Sequence, residues 1–160
     1  MINLFWYKTI KENNLGDSIN VFLVKEISKQ EIKRANLGLN EEHLFAAGSV
    51  LQLATKNTIV WGTGLISPQK CWRSHPKKIY AVRGPLTREV IRRQGHQCPE
   101  VYGDPTLLLP RIYSPKVEKQ YDVAIIPHYF DYDHPWIEEQ KNKGIKVIDV
   151  TMDPIRVVDE

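Results

Sequence analysis

Short apolar runs alternate with amphipathic stretches over the first 110 residues of the chain. The pattern predicts strands at Ile2–Tyr7, Thr58–Trp61 and Lys78–Val82, which are short and rich in β-branched and aromatic residues. It predicts helices at Ile19–Ser28 and Pro85–Gln94, where apolar residues recur every three or four positions. Strands that alternate with helices at this spacing indicate βαβ units and a mostly parallel sheet. The predicted fold class is therefore α/β, with a Rossmann-like parallel sheet.

Boundary signals support these elements. Asp17 or Ser18 is the predicted N-cap of the first helix, and Gly95 ends the second. Between them the sequence predicts four shorter elements: an apolar run at His43–Ala47, a short helix at Ser49–Ala54, a brief strand at Val101–Tyr102, and a helical turn at Pro105–Leu109 closed by Pro110.

A second unit of the same kind follows a polar, proline-bearing stretch at residues 111–120. It contains a buried-type strand at Tyr121–Pro127, a helix at Pro135–Lys143 and a strand at Ile145–Val150. The predicted organisation is an N-terminal domain (1–110), a linker (111–120) and the first βαβ of a second domain (121–160). Because residues 156–160 show no capping signal, we expect this second domain to be incomplete.

Composition narrows the range of functions. The 160 residues carry a net charge of +3, from 22 basic and 19 acidic residues, which demands no nucleic-acid partner. The N-terminus resembles a strand rather than a signal peptide, and no apolar run is long enough to span a membrane, so a cytoplasmic protein is expected. Cys71 and Cys98 are too far apart for a CxxC motif, and the histidines show no ligand spacing, so no metal site is predicted.

The first candidate segment lies between the first strand and the first helix. The start of this helix carries the side-chain amide of Asn14, a flexible backbone position at Gly16 and the carboxylate of Asp17. A carboxylate repels phosphate there, so Asp17 suits a hydrogen bond to a substrate hydroxyl, or its deprotonation. A plain N-cap is the equally weighted alternative.

The second candidate is Gly62-Thr63-Gly64, where a strand runs into a glycine turn. It lacks the third glycine and the acidic ribose partner of a dinucleotide fingerprint, so no nicotinamide cofactor is expected. Two alternatives remain: a tight turn with close backbone packing, or substrate contact through exposed N–H groups.

Two further segments each end a strand and enter a helix through proline. Arg83 precedes Pro85, and an arginine there can donate two parallel hydrogen bonds to a phosphate or carboxylate. Gly103 and Asp104 precede Pro105, which holds Asp104 in extended geometry; an Asp that caps the next turn is the alternative. The arginines that follow in the helix (Arg88, Arg92 and Arg93) are interpreted as a solvated face.

His128 follows the predicted strand Tyr121–Pro127 and is a candidate substrate-binding residue, with a structural histidine as the alternative. The aromatic residues after it either stack on a sugar ring or belong to a core or interface: Tyr129, Phe130, Tyr132 and Trp136.

Five segments in order resemble the polysaccharide pyruvyl transferase family. They are Asn14–Asp17, Gly48–Val50, Val60–Leu65, Val82–Thr87 and Tyr102–Pro110. Each segment is weak alone, but their order and spacing match across nearly the whole chain.

The resemblance implies transfer of pyruvate from phosphoenolpyruvate onto two hydroxyls of a saccharide, as a cyclic ketal, with no cofactor. Asp17 and Arg83 would be catalytic: Asp17 toward an acceptor hydroxyl, Arg83 toward the phosphate or carboxylate of phosphoenolpyruvate. Gly62, Gly64 and the Gly103–Asp104 pair would shape the floor of the cleft. The implied architecture is GT-B-like, with two Rossmann-like halves.

The implied partners are phosphoenolpyruvate and a saccharide or lipid-linked oligosaccharide acceptor, with room for peripheral membrane contact. The chain also departs from the family, because residues 121–160 lack its Ser-Ser-Leu-His-Gly type segment. We therefore expect an N-terminal portion that needs a C-terminal half. A GT-B glycosyltransferase that uses a nucleotide-sugar, and a non-catalytic saccharide-binding module, are the alternatives.

Overall fold

The structure is a computed structural model that describes residues 1–7, 14–70, 72 and 74–160. It divides into two compact units. Residues 1–7 and 20–113 form the first; of the remaining described residues, 14–19 and 114–160 belong to the second. The domain and linker boundaries at residues 110 and 120 stay a prediction.

The first unit is built on a five-stranded sheet in which every neighbouring pair is parallel. The strand order is β2-β1-β3-β4-β5. This confirms the predicted α/β class with a Rossmann-like parallel sheet. The strands are β1 (Ile2–Phe5), β2 (Ile32–Arg34), β3 (His43–Phe45), β4 (Thr58–Trp61) and β5 (Lys78–Ala81).

Helices α1 (Leu15–Ser28) and α2 (Pro85–Arg93) contribute to two different apolar clusters. Successive residues of a strand point to opposite faces of a sheet, so neighbours such as Phe45 and Ala46 enter different clusters. The larger cluster includes Phe45, Val60, Val82 and Ile91 of α2, and the smaller includes Leu4, Ala46 and Val24 of α1.

Helix α1 begins at Leu15, four residues before the predicted start at Ile19. The predicted N-cap was therefore wrong: Asp17 lies inside the first turn. Asn14 immediately precedes the helix, where its Oδ1 accepts a hydrogen bond from the Gly16 N–H at 3.2 Å. Asparagine is among the best N-capping residues, so the cap moves back to the residue that satisfies a free N–H group.

Three further features of the first unit differ from what the sequence predicts. The polar strand β2 was not predicted. Val101–Tyr102 forms only one isolated bridge, between Tyr102 and Val82, and not a strand. Pro110 does not close the turn after Asp104: the 3₁₀ turn Pro105–Leu108 continues into helix α3 (Leu109–Ile112), with Pro110 in its first turn. A proline is tolerated there because the first helical N–H groups need no intrahelical partner.

Between residues 114 and 160, the second unit contains a parallel pair of strands and two α-helices. They are β6 (Ala124–Ile125), α4 (Pro135–Asn142), β7 (Lys146–Val147) and α5 (Pro154–Asp159). The predicted buried strand Tyr121–Pro127 was wrong in extent and burial, since Val123 is 63% and Ile126 62% exposed. A two-residue ladder gives the flanking residues no neighbouring strand to pair with.

The prediction that residues 156–160 follow no capping signal is wrong, because helix α5 has an N-cap. The Asp153 carboxylate precedes the helix and accepts hydrogen bonds from the N–H groups of Ile155 at 3.0 Å and Arg156 at 3.3 Å. This capping residue lies three positions before residue 156, outside the 156–160 stretch.

Cys98 gives a test of the core of the first unit, where its thiol is buried. Burial raises the pKa of this thiol and the nearby Arg88 lowers it, with a net upward shift. The thiol contribution to stability is therefore present at neutral pH and is lost as pH rises through the folded-state pKa.

The reactivity of Cys98 tests this burial in a variant in which Cys71, which lies outside the described residues, is replaced by serine. We expect Cys98 to react with a thiol reagent at pH 8 at least about tenfold more slowly in the native protein than in urea. Equal rates would place Cys98 outside the core.

Candidate functional site

The candidate site of the first unit lies where β3, β4 and β5 end. The segments Gly48–Val50, Gly62–Leu65 and Arg83–Thr87 follow these three neighbouring parallel strands. The carboxyl ends of parallel strands meet at the same edge of a sheet, where open α/β sheets bind their ligands. We call these three segments, together with the Gly103–Thr106 segment, the Arg83 edge.

Thr63 joins two of these segments. Its side chain is fully buried, its Oγ1 donates a hydrogen bond to the Gly48 carbonyl at 2.8 Å, and it accepts one from the Val50 N–H at 3.3 Å. The Gly64 N–H donates to the same Gly48 carbonyl at 2.9 Å. In this arrangement the Thr63 hydroxyl holds the loops together, and its predicted contact with a substrate stays a prediction.

Arg83 is exposed, yet its guanidinium is held in place. Nη1 donates a hydrogen bond to Ser49 Oγ at 2.7 Å, and Nη2 donates to the Leu65 carbonyl at 3.3 Å. The backbone N–H of Arg83 donates to the Thr63 carbonyl at 3.2 Å. A guanidinium carries five N–H donors, and in the described part of the chain two of them are engaged in this way. The side chain is thus fixed in direction while retaining donors for a ligand.

Gly64 makes this placement of Arg83 feasible. A Cβ at Gly64 would lie 2.7 Å from Arg83 Nε and 2.8 Å from both Cζ and Nη2. Any side chain at position 64 would displace the Arg83 guanidinium from its position against the Gly64 backbone. Of the two readings of this glycine, the structure supports close packing, with the arginine itself as the packed group.

Gly62 and Gly103 hold the adjoining segment in place. Gly62 has φ of +97°, and a Cβ there would lie 2.3 Å from Cδ of Pro105 and 2.7 Å from the Gly103 carbonyl oxygen. Gly103, with φ of +151°, donates its N–H to the Val82 carbonyl at 3.1 Å. These contacts pack the loops closely, and the predicted part of both glycines in shaping the floor of a cleft stays a prediction.

Asp104 serves as the cap of the turn that follows it. Its Oδ1 accepts hydrogen bonds from the Thr106 N–H at 3.0 Å and from Thr106 Oγ1 at 2.8 Å. This is the capping alternative that the sequence left open. The cap holds the start of the 3₁₀ turn, and with it Pro105, against Gly62.

This cap yields a prediction that separates a structural from a chemical role. We expect Asp104→Ala to lower the free energy of unfolding by about 1 kcal/mol because an N-cap is lost. Asp104→Asn, which keeps the acceptor oxygen, should stay within about 0.5 kcal/mol of the native protein. Urea unfolding measures both. An asparagine variant as unstable as the alanine variant would show that the carboxylate charge, and not the cap, stabilises this segment.

A cavity of about 520 Å³ opens beside Arg83. Its wall is mostly apolar, with Leu65, Ile66, Leu86 and Val90 among the lining residues. Arg83 also lines it, together with Glu89 and Arg93 of α2, which form an ion pair with each other. The first turn of α2 also lines it, and the N-cap residue of that helix, Gly84, makes no side-chain cap. Helix N-termini attract anions through free N–H groups and the helix dipole, so the cavity suits a small anion that has an apolar part.

Asn14, Gly16 and Asp17 lie in the second unit, at the start of α1. Asn14 Nδ2 donates a hydrogen bond to Asp17 Oδ2 at 3.3 Å, and the Asn14 carbonyl accepts from the Asp17 N–H at 3.0 Å. The three residues therefore form one local network, in which the Asp17 carboxylate is oriented by the Asn14 amide. Its predicted role toward a substrate hydroxyl stays a prediction.

His128 also lies in the second unit, where it caps a 3₁₀ turn. Its Nδ1 accepts a hydrogen bond from the Phe130 N–H at 3.3 Å, and its ring stacks on Tyr129 at 4.3 Å between centroids. His134 caps α4 in the same way, accepting from the Trp136 N–H at 3.1 Å. The structural reading of His128 thus has a definite basis, while its role in substrate binding stays a prediction.

Sequence reasoning missed Ser49 as a member of the site. The only signal was its place in the Gly48–Val50 segment, and no rule of spacing links it to an arginine thirty-four residues later. Within the described residues there is no group of His, Cys, Asp and Glu side chains that would suit a metal ion. None of the helices in the described ranges combines the length and apolar character needed to cross a bilayer.

Comparison with known proteins assigns the family. The family model of polysaccharide pyruvyl transferases matches residues 5–158, so the match runs through both units. The chain is also 27% identical over 128 residues to an uncharacterized protein of Acanthamoeba polyphaga mimivirus, covering 76% of this chain and 44% of that protein. It thus spans less than half the length of this curated relative. No solved structure matches it. The chain belongs to the polysaccharide pyruvyl transferase family.

Proposed function

We propose that the protein transfers pyruvate from phosphoenolpyruvate onto two hydroxyls of a saccharide, as a cyclic ketal, in the synthesis of a cell-surface or exopolysaccharide. Membership of the family supports a transferase in polysaccharide biosynthesis. The observation that carries the choice of donor is the guanidinium of Arg83, fixed by Ser49 and packed on Gly64 beside an apolar cavity.

The donor suits this cavity in charge and shape. Phosphoenolpyruvate carries a phosphate and a carboxylate, and either group can accept two parallel hydrogen bonds from a guanidinium. The other anionic group can accept from the uncapped N–H groups at the start of α2. The methylene carbon then faces the apolar wall that contains Leu65 and Ile66.

The proposed reaction is balanced without a cofactor. The methylene carbon takes up one proton and becomes a methyl group, while a first saccharide hydroxyl bonds to the central carbon and loses its proton. A second hydroxyl then bonds to the same carbon, its proton is released, and phosphate leaves with the electrons of the broken C–O bond. Arg83 would stabilise the negative charge on the leaving phosphate, which is the step where a fixed cation helps most.

Asp17 is proposed as the group that accepts a proton from an acceptor hydroxyl, since Asn14 already orients its carboxylate. His128 is proposed to contact the acceptor. A GT-B-like arrangement with a C-terminal half remains part of the proposal. The acceptor would be a saccharide or lipid-linked oligosaccharide, met in the cytoplasm with peripheral contact to a membrane.

Thermal unfolding in the presence of each candidate donor, alone and in mixtures, tests the choice of donor. We expect phosphoenolpyruvate to raise the melting temperature of the chain, because a ligand that binds only the folded state stabilises it. A nucleotide-sugar such as UDP-glucose should neither raise it nor compete. Stabilisation by the nucleotide-sugar without any by phosphoenolpyruvate would favour a glycosyltransferase and contradict the proposal.

A further inference from the structure

A basic cleft lies at the other end of strand β5 from Arg83. Strand β5 begins at Lys78, whereas Arg83 follows its last residue by two positions. The cleft has a volume of about 840 Å³ and is formed by residues 75 and 77–79, by Arg88 and Arg92 of α2, and by residues 95–99. It is therefore distinct from the cavity of the Arg83 edge, although both belong to the first unit.

The cleft carries charge of one sign. Lys77, Lys78, Arg88 and Arg92 line it, and none of the described lining residues is acidic. Lys77 pairs with Glu42 outside the lining, and Arg88 Nη2 lies 3.5 Å from a Glu100 carboxylate oxygen.

Lys78 and Arg92 form no ion pair within the described ranges, although the Lys78 ammonium lies 5.4 Å from the centroid of the Tyr80 ring. A concave surface lined by one sign of charge focuses its field and concentrates counter-ions. The lining thus keeps positive charge available for an anion.

Two imidazoles add hydrogen-bonding groups to the same cleft. The rings of His75 and His96 meet edge to face at 4.4 Å between centroids, and Trp72 lies 4.9 Å from His96. His75 Nδ1 donates a hydrogen bond to the Pro76 carbonyl at 2.6 Å, so Nε2 of the neutral ring is a hydrogen-bond acceptor. The packed rings give the cleft a fixed wall, and the His96 imidazole can donate an N–H to a phosphate oxygen.

Capping of α2 does not account for these cations. The carbonyls of its last turn already accept backbone hydrogen bonds: Arg92 from the Gly95 N–H at 2.9 Å, and Ile91 from the His96 N–H at 3.3 Å. Arg88 is not a solvated residue either, contrary to the sequence interpretation, because its side chain is 21% exposed and Nε donates to the Cys98 carbonyl at 3.2 Å. Its place is set by the fold and directs charge into the cleft.

We propose that the basic cleft binds a phosphate-bearing anion, and a diphosphate better than a single phosphate. Lys78 and Arg92, which have no carboxylate partner within the described residues, would each neutralise one phosphate, with the imidazole of His96 as a hydrogen-bond donor. The same chemistry is offered by a soluble diphosphate and by a phosphate headgroup in a lipid surface. This binding site is independent of the proposed transferase site.

Titration calorimetry with inorganic pyrophosphate, and sedimentation with phosphatidylcholine vesicles containing phosphatidic acid, test this proposal. The variant Lys78→Gln/Arg92→Gln should bind at least tenfold more weakly than the native protein. The variant Lys33→Gln/Arg34→Gln, which removes the same charge from strand β2 at the opposite edge of the sheet, should bind as the native protein does. Arg83→Gln should also retain binding, which separates the basic cleft from the Arg83 edge.

The outcomes distinguish the sources of the anion. Pyrophosphate binding that depends on Lys78 and Arg92 supports a soluble ligand. Vesicle binding with the same dependence, and no pyrophosphate binding, supports a lipid-borne phosphate. The proposal is overturned if neither probe binds, if the Lys78→Gln/Arg92→Gln and Lys33→Gln/Arg34→Gln variants weaken binding equally, or if Arg83→Gln alone abolishes it.

Discussion

Replacement of Arg83 by glutamine is expected to weaken phosphoenolpyruvate binding by about 100-fold or more. Two hydrogen bonds from a charged group contribute about 1.5–3 kcal/mol each, and a loss of about 2.7 kcal/mol already corresponds to that factor. Calorimetric titration of the chain with phosphoenolpyruvate measures the change. Because Arg83 is exposed, the substitution should leave the fold intact, which the unfolding temperature without ligand checks.

Two matched variants sharpen this result. Arg83→Lys keeps the charge but loses the planar fork, so we expect an affinity between those of the native protein and the glutamine variant. Arg111→Gln removes an exposed arginine from α3 and should bind as the native protein does. If Arg83→Gln and Arg111→Gln have the same small effect, Arg83 interacts with the ligand only through net charge, and its proposed role is wrong.

Substitution of Gly62 by alanine is expected to destabilise the first unit by about 3 kcal/mol or more. The positive φ costs about 1–3 kcal/mol for a residue with a Cβ, and overpacking costs a further amount of about 1–3 kcal/mol. The new methyl group meets a proline ring and a carbonyl oxygen, neither of which is the free end of a flexible side chain. Thermal unfolding should show a melting temperature lower by about 10 °C.

Gly84 offers the control for this experiment. A Cβ at Gly84 meets no atom within 4 Å, and its φ of −170° is extended backbone that any residue adopts. We expect Gly84→Ala to cost less than about 1 kcal/mol, mainly as a change of helix N-cap. If Gly62→Ala is no more harmful than Gly84→Ala, the loops of the Arg83 edge are not packed as described.

The sheet of the first unit was largely predictable because its strands are short apolar runs. Thr58–Trp61 has β-branched residues and is bounded by turn residues, and the structure confirms these bounds. Strand β2 could not be found in the same way, since Lys33 and Arg34 are exposed at the edge of the sheet and leave no alternating pattern. Tertiary pairing with β1, and not local preference, makes it a strand.

The second unit shows the opposite error. Its apolar residues between 121 and 127 resemble a buried strand, yet only Ala124 and Ile125 pair, with β7. Burial depends on what packs against a segment, and the sequence pattern of the segment does not contain this information. The caps at Asn14, His128 and His134 were missed for a related reason, because they depend on backbone geometry that one or two residues decide.

The positions of the site segments were predictable, while most contacts were not. Glycine and proline mark the ends of β4 and β5, so Gly62, Gly64 and Arg83 could be placed at one edge of the sheet from sequence. The guanidinium of Arg83 packs on Gly64 and donates a hydrogen bond to Ser49. Both contacts depend on distances between residues far apart in the chain. Such contacts become visible only when the strands are in register.

The central claim is that the Arg83 edge holds phosphoenolpyruvate. Backbone amide NMR of the nitrogen-15-labelled, 160-residue chain, titrated with phosphoenolpyruvate, tests it most directly. We predict that the largest and earliest shifts occur at Ser49, Gly64, Arg83 and Thr87, and that they are lost in Arg83→Gln. Shifts confined to the residues around Lys78 and Arg92, or the same shifts in the variant, would contradict the claim.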